Sequence, residues 1–120
     1  MNESVKRTYD LEQRTLKFSK EVRDFVKVLP RTISNIEYAS QLIRSSASVG
    51  ANYIEANESL GKKDFLMRIK ISRKEAKESA YWLELVDVNI NSTLDTLRKS
   101  SLQEAGELMN IFGAILRNSV

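Results

Sequence analysis

The sequence predicts an all-α fold: an antiparallel, up-down-up-down four-helix bundle in a single domain, residues 1–120. Three observations carry that prediction. One proline and four glycines are too few for a turn-rich architecture. Apolar residues recur in steps of three and four through four long segments, roughly 11–29, 33–57, 63–91 and 101–117. No segment shows the alternation of a half-buried strand. Short connections make neighbouring helices antiparallel.

The first segment opens at Asp10, with Gln13 three residues on, a capping-box spacing. Leu11, Thr15, Leu16, Val22, Phe25, Val26 and Leu29 follow at helical spacing, and Pro30 stops the run. Thr32 or Ser34 can cap the second segment. On a wheel of about 100° per residue, Ile36, Ala39, Ile43, Ala47, Gly50 and Ile54 share one side of it. Gln41, Arg44, Ser48, Asn52 and Glu55 share the opposite side. The stretch RSSASVGANYIEANES is therefore helix, not linker. Mid-helix glycine costs about 1 kcal/mol against alanine. Gly50 and Ala47 are accordingly expected at a close helix crossing.

The third segment carries Phe65, Ile69, Ser72, Ala76, Ser79, Leu83, Val86 and Ile90 as a narrow seam, small in its middle. Small residues on helices two and three would let the two cross closely. Met67, Ile71, Tyr81, Trp82 and Leu85 form a second apolar patch, well round the wheel. One core buries one stripe, so the second patch is a candidate oligomer interface. The stretch NSTLDTLRKS is expected as loop. Ser101 and Glu104 then form a capping box ahead of Leu102, Ala105, Leu108, Met109, Phe112, Ile115 and Leu116.

Composition excludes several functions. With no cysteine and no histidine, the chain lacks thiolate chemistry, the commonest general base and the commonest metal ligand. No Walker, G-x-G-x-x-G, zinc or triad pattern occurs, so neither cofactor nor enzyme is expected. Arg44 is expected to make a charge-assisted contact with Glu75, Glu78 or Glu55; an all-carboxylate divalent site is the alternative. Gln41, Arg44, Asn52, Glu55, Glu75 and Glu78 are thus candidate structural polar contacts. The start, MNESVKRTYDLEQ, has no apolar h-region, and no apolar run approaches the roughly 20 residues of a membrane span. A cytoplasmic protein is expected.

The net charge of +3 is unevenly distributed. Residues 61–78 hold seven basic and three acidic side chains. Lys70, Arg73, Lys74 and Lys77 cluster on helix three, with Lys62 and Lys63 at its start. These six are the candidate contacts to RNA or DNA phosphates. A solvated face with i,i+4 partners such as Lys74 and Glu78 is the alternative.

The segments LPRTISNIEYASQLIRSSASVGANYIEANES and KKDFLMRIKISRKEAKESAYWLEL resemble the bacterial four-helix-bundle proteins first noticed as reading frames in 23S rRNA intervening sequences. The matching parts include Leu29-Pro30, Gln41-Leu42-x-Arg44-Ser45, Asn52-x-x-Glu55, Asp64-Phe65 and the run from Lys74 to Leu83. Many members carry glycine after the glutamate matching Glu55. Here Ala56 and Asn57 follow, so helix two is expected to run slightly longer. The resemblance implies a left-handed bundle assembled into a ring-like homo-oligomer, often a pentamer. It also implies nucleic-acid binding as the leading role. An oligomeric scaffold whose partner is another protein is the alternative.

Overall fold

The computed structural model describes the backbone of residues 3–119 and side chains from Asp10 to Ser119. Among these residues the fold is four helices and no strand. They are α1 (Glu3–Val28), α2 (Ile33–Asn57), α3 (Lys62–Leu85) and α4 (Ser92–Asn118). Contacts pair rising numbers on one helix with falling numbers on the next. Asn35, Ser45, Val49 and Asn52 of α2 meet Asp87, Ser79, Ser72 and Arg68 in that order. The resulting rod measures 46 × 26 × 20 Å.

Phe18, Val22, Leu42, Val49, Ile69, Leu83, Leu108 and Phe112 form the fully buried centre. Where α2 meets α3, the core turns small and polar. The Ser45 and Ser79 hydroxyls lie 2.8 Å apart, and Ser72 donates to the Val49 carbonyl at 2.9 Å. Each hydroxyl finds a partner, so its burial does not leave an unmet hydrogen bond. The close approach of small residues expected between these helices is present, and serine makes it.

Several expectations are corrected. α1 passes through Asp10 without a cap there, because it begins at Glu3. The core face of α2 is Leu42, Ser45, Ser46, Val49, Gly50, Tyr53 and Ala56. Ile36, Ile43, Ala47 and Ile54, placed on the apolar side by the wheel, are exposed instead. The wheel weighted isoleucine over serine, whereas the crossing needed serine. Gly50 does sit at a close crossing, but with α1: a Cβ there would lie 2.9 Å from Thr15 Oγ1. Ala47 does not.

The α3–α4 connection also differs. α3 ends at Leu85, not near residue 91, and α4 begins at Ser92, not 101. Three asparagines make the break. The Asn35 side chain donates to the Pro30 and Asp87 carbonyls and accepts from the Asp87 amide. Asn89 adopts φ 59°, a left-handed conformation that asparagine tolerates. Asn91 caps α4, accepting from the Leu94 amide at 2.9 Å. Ile90 fits the helical spacing yet is 96% exposed. Ser101 is buried inside α4, and Glu104 bonds Arg14 rather than closing a capping box. Thr32 caps α2 as expected.

Candidate nucleic-acid interface

Lys70, Arg73, Lys74 and Lys77 recur every three or four residues on α3, which places them on one side of it. α4 packs beneath that side. Together with Met109 and Leu116 they line a cleft of about 280 Å³ between the two helices. None of the four forms an ion pair among the described residues, although Lys74 is close enough to help lower the Glu75 pKa.

Two residues not expected from the sequence lie beside this cleft without lining it, Gly113 and Arg117. Gly113 lies buried in α4, and a Cβ there would sit 3.3 Å from Arg117 Nη1 and 3.5 Å from Arg73 Nε. Two guanidinium groups therefore converge above a residue with no side chain, and among the described residues no carboxylate lies within ion-pair distance of either. The signal was in the sequence as Gly113 and Arg117, four residues apart on α4 and so on one face. It needed knowledge of which face meets α3. Lys62 and Lys63 are exposed at the start of α3, two turns before Lys70, and do not line the cleft.

The opposite side of α3 neutralises its charge internally. Arg44 on α2 donates to Glu78 at 2.9 Å and to Gln41 at 3.0 Å, with Glu75 Oε2 at 3.9 Å. That last distance is too long for a hydrogen bond, and Glu75 Oε2 is buried without a hydrogen-bond partner. Burial raises the Glu75 pKa above the ordinary value, the neighbouring Glu78 raises it further, and Arg44 and Lys74 oppose. Asn52 accepts from Arg68 at 3.0 Å. Glu55 is exposed and does not pair with Arg44; only its backbone carbonyl is engaged near it, by Ser59.

The α1–α4 side is a mixed-charge groove of about 670 Å³. Arg14 holds Glu104 through two 2.8 Å bonds and Glu107 through a third at 3.0 Å. These bonds raise the Arg14 pKa and commit its charge to the fold.

The second apolar patch divides. Met67, Tyr81 and Leu85 are exposed, while Ile71 and Trp82 are half-buried. Trp82 stacks on Tyr38 at 6.1 Å and meets Tyr81 edge-on at 5.2 Å, so its own bundle already engages it. A second apolar stripe, Ile36, Ile43 and Ile54, lies exposed on α2.

The family model described as 23S rRNA-intervening sequence protein matches residues 7–116. The chain is also similar to a protein of unknown function from the S23 ribosomal protein family of Bacteroides thetaiotaomicron, known from a crystal structure. The TM-score is 0.77 at 24% identity, over 92% of this chain and 97% of the other. At that identity the likeness speaks to fold alone. No curated protein matches. No helix among the described residues is long and apolar enough to cross a membrane.

Proposed function

The chain belongs to the 23S rRNA-intervening sequence protein family, and from that premise we propose a non-enzymatic, cytoplasmic homo-oligomer that binds RNA or DNA through the α3–α4 cleft. One observation carries the reading: Lys70, Arg73, Lys74 and Lys77 line one cleft, with Arg117 beside Arg73, and among the described residues no carboxylate pairs with them. Elsewhere on the bundle, Arg14, Arg23, Arg44 and Arg98 are each engaged by an acid. Cations left unpaired around a concavity suit a polyanion. The family takes its name from intervening sequences of 23S rRNA, which supports nucleic acid as the partner class.

Two exposed apolar surfaces, the α3 patch and the α2 isoleucine stripe, support self-association. The family resemblance suggests a five-membered ring. A ring repeats the cleft once per subunit, so weak single contacts add up to useful avidity. The adaptor reading draws on the same apolar surfaces but leaves the unpaired cations without a role.

Retention on structured RNA and duplex DNA, followed from about 50 to 200 mM salt, tests the proposal. Binding should fall steeply over that range. Reversing Lys70, Arg73 and Lys77 to glutamate should abolish it while helicity and oligomer size persist. No binding at low salt by an intact oligomer would promote the protein-adaptor reading. Light scattering at the 13.7 kDa monomer mass would remove the assembly.

A further inference from the structure

We propose that the α3–α4 cleft seats an unpaired nucleotide, with its base on the apolar floor and its phosphate on the cationic rim. This rests on the nucleic-acid reading above and adds the kind of strand it recognises.

A surface that only tracks phosphates needs cations and nothing beneath them. Here Met109 and Leu116 of α4 lie under Lys70, Arg73, Lys74 and Lys77 in one concavity. The cleft holds about 280 Å³, close to the lower end, about 300 Å³, of small-molecule pockets. A duplex cannot enter such a space and would touch only the rim. A base inside a duplex keeps both faces stacked on its neighbours, whereas an unpaired base can be splayed out and bound.

Gly113 supplies the second observation. It is buried within a 27-residue helix, where glycine costs about 1 kcal/mol against alanine. No backbone requirement explains it, since its φ is not positive. What its missing side chain leaves is room for Arg73 and Arg117 beside the α4 backbone. Guanidinium groups are planar, stack on bases and bind phosphate oxygens in pairs. Two of them at one point, with no carboxylate among the described residues paired to either, leave an anion as the missing charge. The apolar floor adds the preference for an attached base.

Fluorescence anisotropy on the full chain, at about 100 mM salt, separates the terms. Three labelled probes carry equal numbers of phosphates: a mixed-sequence single strand, an abasic strand and a duplex. The single strand should bind about tenfold tighter than either of the others, the order expected from removing one base face from water. Leu116→Asn should erase that preference and leave abasic-strand affinity within about twofold, because it breaks the apolar floor and removes no charge. If circular dichroism shows that Leu116→Asn has lost helix, Met109→Gln gives the same reading at the other floor residue. Lys70→Gln with Lys77→Gln should weaken all three probes alike. Equal affinity of the wild-type chain for all three probes would overturn base seating and leave phosphate binding standing. No binding to any probe would overturn both.

Discussion

Along its α2 side, α3 meets its neighbour through Ser79 on Ser45, Ser72 on the Val49 carbonyl, and Arg44 on Glu78. Along its α4 side it presents Lys70, Arg73, Lys74 and Lys77 over Met109 and Leu116, with no ion pair between them and α4. One helix thus has a closed seam, with small side chains interlocked and charge answered internally, and an open one. Packing explains the first. A closed seam gains dispersion and hydrogen bonds only where side chains are short enough for the backbones to approach. The second gains nothing from its own charges, since gathered cations repel one another. The fold thus uses the serines of α3, while its lysines stay outside the packing and are the residues that the proposed function gives to a partner.

The comparison breaks most readily at its tightest point. Ser79→Leu should destabilise the bundle by about 1–3 kcal/mol through overpacking. Lys77→Leu, on the open side, should stay within about 0.5 kcal/mol. Urea midpoints for both variants decide it, and equal losses would mean that the two seams are equally tight.

Two glycines sharpen it next. Gly50→Ala brings a methyl within 2.9 Å of the buried Thr15 hydroxyl, and the gain in helix propensity does not offset that clash. A net loss of about 1 kcal/mol is expected. Gly113→Ala displaces only the flexible ends of Arg73 and Arg117, and should raise stability by up to about 1 kcal/mol. Thermal melts that move in the same direction for both would contradict the distinction.

Glu75 gives a pH-dependent test of the closed seam. Its pKa is raised in the fold, chiefly by burial, so the native state holds the proton more tightly than the unfolded chain does. This group's contribution is therefore most favourable at pH below its unfolded value, near 4.5. It is lost as pH rises through the folded pKa. Glu75→Gln should be the more stable protein at pH 7, with the advantage shrinking as pH falls toward 4. Denaturation series at the two pH values measure that gap. The smallest effect belongs to Arg44 and Glu78. A double-mutant cycle should return about 0.2–1 kcal/mol, decreasing with salt, because Arg44 is largely exposed.

Four helices and the identity of most of their residues were legible in the sequence, because steps of three and four over 20 or more residues admit little else. The phase of α2 was not. Ile36, Ile43 and Ile54 outweigh Ser45, Ser46 and Gly50 on any hydrophobic wheel, yet the crossing selects for size before polarity. The α3–α4 turn was hidden because Val86, Val88 and Leu94 are buried around it and continue an apolar pattern. What breaks the helix there is asparagine hydrogen bonding, with one partner 52 residues away at Asn35. The basic cluster could be read as a cluster. Its cleft could not, because Gly113, Arg117 and Met109 belong to another helix and enter only through packing.

The Asn35 amide touches both the α1–α2 and the α3–α4 turns, through three bonds to backbone groups. At the other end of the rod, the side chain of Asn57 reaches Glu12 through a single bond between two side chains. Among the described residues, one side chain, Asn35, therefore clasps two turns that are far apart in the chain, and the Asp87 amide should exchange slowly for a residue outside any helix. Asn35→Ala would open both turns together, so exchange should quicken at Asp87 and beside Pro30 in the same variant, and two stretches remote in sequence would behave as one hinge.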